Sequence, residues 1–243
     1  MKKLGTVIRY ECVTSFKFIW IFYACVFGVI SIISLLVYIA TGDFEQIGTN
    51  ALEINSMIYV GILGIMGFKE DFRMLIQNGF TRKYIYLSTF SLFVFVSAIM
   101  ALVDTILGNL LHTLSDRYFS LFAGLYGYGH SVVINWLWLF LAYMLVCCLL
   151  YLTILAINKI GKTVSIYAGI VLGLTVILII PAIFRFVLPK TFTHKAAEFA
   201  LKGLGFMTDG SINFTAPVFL FILLAGVLSI CSFLVIRRTE LKI

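Results

Sequence analysis

Long apolar segments are the feature that most limits what this chain can fold into. About 20 apolar residues in a row are typical of a membrane helix, because an α-helix of that length crosses a hydrocarbon core of about 30 Å. Five segments fit this description: residues 18–40, 85–111, 134–157, 164–188 and 214–236. A sixth, 51–68, is shorter and begins with Glu53 and Asn55, which we expect at the membrane surface. We predict an all-α membrane protein with six transmembrane helices.

The composition excludes an ordinary soluble domain. Hydrophobic residues make up 62% of the 243-residue chain and charged residues 12%, which is about half the charged share of soluble domains. No polar stretch is long enough to form a second, soluble domain. We therefore treat residues 1–243 as a single transmembrane domain.

Lysine and arginine indicate which side of the membrane each loop faces, because cytoplasmic loops are enriched in them. With the N-terminus inside, all but five of the 18 basic residues fall in cytoplasmic segments. The exceptions are Arg117, Arg185, Lys190, Lys195 and Lys202. We predict that both termini are cytoplasmic, and we interpret the net charge of +7 as a topology signal, not as evidence for nucleic-acid binding.

Three segments lie outside these spans, and a proline lies near the end of one span. Residues 1–17 place apolar side chains at helical spacing, which predicts an interfacial helix before the first span. Residues 112–133 alternate aromatics and glycines, a pattern typical of a partly re-entrant strip at the headgroup level. Residues 189–213 predict a short outer helix before the last span, and Pro181 should kink or end the fifth span.

The stretch KEDFRMLIQNGFTRKY, residues 69–84, concentrates charge between the second and third spans. Its apolar residues Phe72, Leu75 and Ile76 share one helical face. A helix here is more than two antiparallel spans need to be joined. We interpret it as a cytoplasmic contact surface for another protein. A connector that rests on the headgroups is the alternative.

Polar and small residues inside the spans are candidates for function or packing. Asp104 lies roughly 28 Å along its helix from Ile85, and Arg185 is expected at a similar height, so we predict that they meet near an outer gate. The alternative is that each reaches interfacial water separately. Small residues let helices pack closely, which points to five glycines as packing or interface positions: Gly61, Gly64, Gly67, Gly169 and Gly173.

Catalytic and metal-binding signatures are not found in the sequence. Gly161-Lys162-Thr163 lacks the first glycine and the preceding strand of a phosphate-binding loop. The three histidines fit no local metal signature, and the five cysteines lie in or near spans, where small apolar core residues are expected. We predict a protein that is not an enzyme and binds no cofactor or metal of its own.

The layout and one phrase resemble a known family. Six spans with both ends inside, an amphipathic lead-in, a helix between spans 2 and 3 and an outer insertion before span 6 look like the type-2 ABC export permeases. The phrase MLIQNGFTRKYIY, residues 74–86, is similar to a stretch that recurs in small permeases of peptide-toxin and bacteriocin exporters. The resemblance covers nearly the whole chain in layout and about a dozen residues in wording.

This resemblance implies a permease subunit of an ATP-driven exporter in a bacterial plasma membrane. The helix between spans 2 and 3 would be the coupling helix, which docks in a separate ATPase subunit through Glu70, Asp71, Phe72, Arg73, Leu75 and Ile76. The complex would contain two ATPases, which bind ATP and Mg²⁺, and a second permease chain, identical or not. Residues 189–213 would form a lid above the exit.

An amphipathic peptide or a lipid-like molecule is the expected cargo, because the apolar spans are rich in Phe and Met. Two other classes remain open. One is the substrate-binding membrane subunit of an uptake transporter. The other is a toxin-immunity or regulatory membrane protein that binds a partner without moving anything.

Overall fold

A computed structural model describes residues 2–42, 52–69, 71–114, 118–127, 129–183 and 189–237. Within these ranges the regular structure is helical, and two residues, Phe206 and Ile212, form an isolated β-bridge. The helices are α1 Lys2–Thr41, α2 Leu52–Lys69, α3 Asp71–Gln77, α4 Arg82–Leu114, α5 Leu121–Tyr126, α6 Val132–Ile160, α7 Lys162–Leu174, α8 Ile180–Ala182, α9 Lys190–Gly203 and α10 Thr215–Arg237.

Four helices are long and apolar enough to cross a membrane: Leu4–Thr41, Arg82–Thr113, Val132–Ile160 and Thr215–Arg237. The prediction of an all-α, multi-pass membrane protein is therefore confirmed. The two remaining predicted spans correspond to shorter apolar helices, Leu52–Gly67 and Thr163–Leu174. A count of six spans stays a prediction.

The first helix is continuous where the sequence predicts a change of direction. The predicted interfacial segment 1–17 and the predicted span 18–40 form one helix, Lys2–Thr41. Sharp kinks arise at proline or where a group inserts into the hydrogen-bond ladder, and no proline lies between residues 2 and 41. The polar residue that breaks the apolar face, Glu11, is buried against α4 and so does not force the helix toward water.

The fifth predicted span contains a local change of helix type. A π-helical segment, Thr175–Ile179, follows α7 and leads directly into α8, which contains Pro181. Proline lacks an N–H and its ring clashes with the carbonyl four residues earlier. A π-helical turn, with its i→i+5 hydrogen bonds, stands just before it. The irregularity predicted at Pro181 is thus a π-helical segment that precedes the proline. Ile183 is the last described residue before 184–188.

α6 is the central helix, and α10, α2 and α4 pack around it. In an apolar stretch of 18 residues, 44% of the residues are buried in α4 and in α6, but 11% are buried in α1 and in α10. α4 and α6 therefore form the core, and α1 and α10 lie at the periphery. α7 packs on little besides the end of α6. The periphery therefore exposes long apolar faces, which is expected of helices that face lipid.

Glycines allow α2 to lie close to its neighbours. A Cβ on Gly64 would lie 2.7 Å from the backbone oxygen of Cys147 in α6, and one on Gly67 would lie 2.9 Å from Thr89 in α4. Gly61 faces Leu150 of α6 at 2.7 Å. These three glycines serve contacts within the chain. Among the described residues, no neighbouring element lies within 4 Å of a Cβ placed on Gly169 or Gly173 of α7.

The helix ends define two sides of the bundle. Arg82 at the start of α4 donates a hydrogen bond to the carbonyl oxygen of Arg237 at the end of α10, 2.8 Å away. The first turns of α1 lie beside the same end of α4, through Glu11 and Ser88. We call this end the α3 side. The opposite end, where α5 and α9 lie, is the α5 side.

An aromatic cluster closes the α5 side. Phe122 and Tyr126 of α5 are buried and pack on Trp138 of α6, with ring centroids 5.9 and 6.1 Å apart. Phe206 stacks on Tyr126 at 5.5 Å, and the Tyr126 hydroxyl donates to the Leu204 carbonyl, 2.8 Å away. Phe122 and Tyr126 of the predicted interfacial strip are core residues, because the segment after α9 folds back over them. Their position at the headgroup level stays a prediction.

Candidate functional site

α3 is fixed to the bundle by the residues that we expected to face a partner. Phe72 is 0% and Leu75 2% exposed, and both belong to the chain's own core with α2 and α4 around them. Ile76 is half-buried. The prediction that Phe72 and Leu75 dock in another protein is therefore wrong for this arrangement, since their surface is already covered.

Three described side chains in and just after α3 are exposed. Met74, Gln77 and Asn78 are exposed, and Lys83 follows at the start of α4. The side chain of Asn78 donates to the Met74 carbonyl, 2.8 Å away, and Gly79 with φ of +76° reverses the chain. Glu70 and the side chains of Asp71 and Arg73 lie outside what the structure describes.

A buried carboxylate links three helices in the middle of the bundle. Asp104 of α4 is 0% exposed. Tyr23 of α1 donates to its Oδ1 over 2.7 Å, and Tyr143 of α6 donates to its Oδ2 over 2.5 Å. The Tyr23 hydroxyl also lies 3.4 Å from the Ser56 hydroxyl of α2. Each carboxylate oxygen thus has a strong donor, which is the condition for keeping an acid at this depth.

The predicted pairing of Asp104 with Arg185 is not tested, because Arg185 lies outside the described residues. What the structure adds is the pair of tyrosines, which sequence reasoning missed. Tyr23 and Tyr143 each sit inside a predicted span, and a hydroxyl there needs a partner. The need of a hydroxyl within a span for a hydrogen-bond partner could have pointed to Tyr23 and Tyr143 in the sequence. It does not identify Asp104 as that partner.

Two glutamates that we expected at the membrane surface or interface are also buried. Glu53, in the first turn of α2, is 1% exposed and accepts a hydrogen bond from Ser120 over 2.7 Å. Glu11 of α1 is 6% exposed and accepts one from Ser88 of α4 over 2.6 Å. Glu53 therefore lies at the end of α2 but does not contact solvent, because the segment before α5 covers it. Its position at the membrane surface stays a prediction.

A groove of about 620 Å³ lies on the α3 side. It lies between α1 and α2, which both pack on α4 but share little contact with each other. Leu92 of α4 forms part of its floor, and Met74 of α3 lines it as well. Two other described cavities hold about 20 and 10 Å³, room for roughly one water. The groove is thus large enough for an organic ligand, and these two are not.

The groove is polar at one end and apolar along the rest. On α1 it begins at Tyr10, Glu11 and Thr14 and continues to Phe18 and Ile21. On α2 its lining is apolar apart from one hydroxyl: Tyr59, Ile62, Leu63 and Met66. At the far end the rings of Phe22 and Tyr59 meet with centroids 4.7 Å apart. The lining residues of α1 span about 18 Å along the helix axis.

Chemistry other than binding has little support among the described side chains. The residues that the structure describes contain no group of three or more His, Cys, Asp or Glu side chains placed to hold a metal ion. His130 lies 2.9 Å from the Tyr126 carbonyl oxygen, and His194 lies 3.3 Å from Glu198 on the same helix. Both interactions are local.

Comparison with known proteins does not identify the chain. No protein-family model, no curated protein and no solved structure matches it.

Proposed function

We propose that this chain is the permease subunit of an ATP-driven ABC exporter that moves an amphipathic peptide or a lipid-like molecule out of a bacterial cell across the plasma membrane. The observation that carries the proposal is the groove between α1 and α2, which is polar at the α3 end and apolar toward the middle of the bundle. A groove with this gradient suits an amphiphile that arrives from one leaflet.

The seating of α3 supports a mechanical role for that helix. Phe72 and Leu75 are inserted into the core, so α3 cannot move without moving α2 and α4. α2 forms one wall of the groove, and α4 carries the carboxylate that holds α1. A partner that pushes on α3 would therefore shift α2 relative to α1 and change the width of the groove.

In this proposal two ATPase subunits supply the push, and a second permease chain completes the complex. The ATPases would contact the exposed face of α3, at Gln77 and Asn78, instead of the buried Phe72 and Leu75. ATP and Mg²⁺ would bind to the ATPases. This chain would then bind cargo and transmit motion, without a cofactor of its own.

The test is reconstitution of the chain with the ATPase encoded beside it, with ATP hydrolysis measured as cargo is added. Gln77→Asp changes the exposed face of α3 and should leave the protein folded while the cargo stimulation of hydrolysis falls at least about fivefold. Leu75→Asp is not a clean test, because a charge at a 2% exposed position should unfold the segment. Unchanged stimulation in Gln77→Asp would contradict the contact, and no stimulation in the unaltered complex would contradict the proposal.

A second function is favoured by the burial of Phe72 and Leu75, because the chain's own core already covers the two apolar residues that we expected to dock in an ATPase. The chain would then be a toxin-immunity or regulatory membrane protein that binds an amphipathic molecule and does not transport it. In that case the purified chain binds the molecule in vesicles, and the neighbouring ATPase neither co-purifies with it nor responds to the molecule.

A further inference from the structure

We infer that α9 is a binding surface for anionic phospholipids at the α5 side of the bundle. In this arrangement Phe192 and Phe199 contact the lipid chains. Lys195 and Lys202 lie beside the lipid phosphates. The inference concerns a different part of the molecule from the groove, and it does not rest on the proposed function.

The position of α9 selects lipid as its neighbour. A Cβ on Gly203, the last residue of α9, would lie 3.7 Å from the Leu220 side chain of α10. Leu220 follows Thr215, the first residue of α10, by five positions, which is about 7.5 Å along the helix axis. α10 is long and apolar enough to cross a membrane, and it exposes Phe219 next to Leu220. The end of α9 therefore lies at a level where α10 already presents apolar side chains to lipid.

α9 has an exposed apolar strip at this level. None of the residues of α9 is buried, and Phe199 is 81% exposed. Phe192 is exposed as well and precedes Phe199 by seven residues, so the two rings lie on the same side of the helix, about two turns apart. Contact with lipid chains removes these rings from water, which is favourable. A helix that combines such a strip with a charged face is typical of the membrane interface.

The lysines beside this strip select an anionic head group. Lys195 and Lys202 each follow a phenylalanine of the strip by three residues, so each lysine borders a ring on the helix surface. Both are exposed, and neither forms an ion pair with a residue that the structure describes. Glu198 of α9 lies 3.3 Å from His194. Three lysines and one glutamate give α9 a formal charge of +2 with histidine neutral, and lysines at this position can extend along apolar surface to a phosphate.

The experiment measures hydrogen exchange of the α9 amides by mass spectrometry, because exchange reports how often a segment opens. The full chain is placed in nanodiscs of phosphatidylcholine alone, or of phosphatidylcholine and phosphatidylglycerol in equal amounts. A lysine near an anionic surface strengthens binding about fivefold. Two lysines should therefore slow exchange at least about tenfold when phosphatidylglycerol is present at low salt. The difference should shrink in about 1 M salt, where the Debye length is about 3 Å.

A pair of charge variants tests the head-group contact. Lys195→Gln combined with Lys202→Gln should abolish the difference between the two lipid compositions. Lys17→Gln combined with Lys159→Gln removes the same charge from exposed positions of α1 and α6 and should leave the difference intact. The amides of α6 serve as an internal reference for the fold in every variant.

A second pair of variants tests the apolar strip. Phe199→Ser should speed exchange of α9 at least about tenfold in both lipid compositions, because the ring no longer contacts lipid chains. Leu201→Ser changes an exposed residue two positions on, and therefore on the other side of the helix. It should speed exchange by less than about threefold, through helix propensity alone.

Three results would overturn the inference. Equal exchange of α9 in the two lipid compositions would remove the preference for an anionic head group. Equal effects of Phe199→Ser and Leu201→Ser would mean that the strip does not contact lipid. Slow exchange confined to nanodiscs that hold two chains would assign the strip to a second copy of the chain.

Discussion

Two buried carboxylates attach α1 to α4, and their surroundings differ. Asp104 lies in a closed cluster where two tyrosines from different helices donate to it. Glu11 lies about 18 Å away along α1 with Ser88 as its donor, at the edge of an open groove. The same chemical group is thus enclosed by donors from two helices in one place and borders a groove in the other, so we expect the first to contribute more to stability.

The largest expected effect is at the closed site. Asp104→Leu removes the carboxylate that accepts from Tyr23 and Tyr143, and Tyr23 keeps a longer contact with the Met100 carbonyl oxygen at 3.3 Å. The free energy of unfolding should fall by about 2–4 kcal/mol. Glu11→Gln keeps an acceptor for Ser88 and should lower it by less than about 1 kcal/mol. Unfolding in a denaturing detergent series, followed by circular dichroism, measures both.

A rescue experiment separates lost hydrogen bonds from lost packing at Asp104. Combining Asp104→Leu with Tyr23→Phe and Tyr143→Phe removes donors and acceptor together, so most of the stability should return, because apolar replacement of a whole buried polar group is often neutral. If the triple variant is as unstable as Asp104→Leu, or if Glu11→Gln is equally damaging, the distinction between the two carboxylates is lost.

A smaller effect is expected where helices touch without polar groups. Gly64→Ala places a Cβ 2.7 Å from the Cys147 backbone oxygen and should destabilise the contact of α2 with α6 by about 1–3 kcal/mol. Gly169→Ala meets no atom within 4 Å and should be neutral or stabilise α7 by up to about 1 kcal/mol. Thermal unfolding of both in the same detergent checks the pair, and a destabilising Gly169→Ala would show that α7 has a close neighbour.

The smallest effect concerns a third carboxylate, Asp209, which is exposed in the turn between α9 and α10. The Ser211 hydroxyl donates to it over 2.7 Å and the Ser211 amide over 3.1 Å, and these bonds lower the pKa of Asp209. A lowered pKa means that the turn is stabilised above the ordinary Asp pKa and loses this contribution as pH falls through the lowered value.

Ser211→Ala should move the pKa of Asp209 back up toward the ordinary range with little change in global stability. Carbon-13 detected NMR of labelled aspartate, titrated from pH 6 downward, reports it. A pKa that does not respond to Ser211→Ala would show that the hydroxyl has no part in the shift, and Ser211→Thr, which keeps a hydroxyl, serves as the control.

Periodicity and length located most helices of this protein. α4 and α6 contain the predicted spans 85–111 and 134–157 and extend a few residues further at both ends, and α10 is shifted by one residue from the predicted span 214–236. Apolar length alone sets these helices. The short helix after residue 69 and the outer helix before residue 204 were predicted from capping and spacing. The interfacial segment 1–17 and the first span were predicted separately, whereas the structure joins them in one continuous helix, and Glu11 of that segment is buried against α4.

The candidate site was much harder to predict than the helices. The helical face formed by Phe72, Leu75 and Ile76 was read correctly as a face, but a period shows which side chains lie together and not what covers them. Asp104 was found from the sequence, whereas its donors lie 81 and 39 residues away. Nothing local in the sequence connects such distant residues.

The sequence by itself determined that this chain is helical and lies in a membrane, because backbone groups in lipid must bond within their own segment and apolar length decides where a helix can cross. The tertiary structure alone decided which acids are enclosed and which one lines a groove. That choice depends on how α1 and α2 lie against α4, and helix packing is set by the fit of side chains that are far apart along the chain.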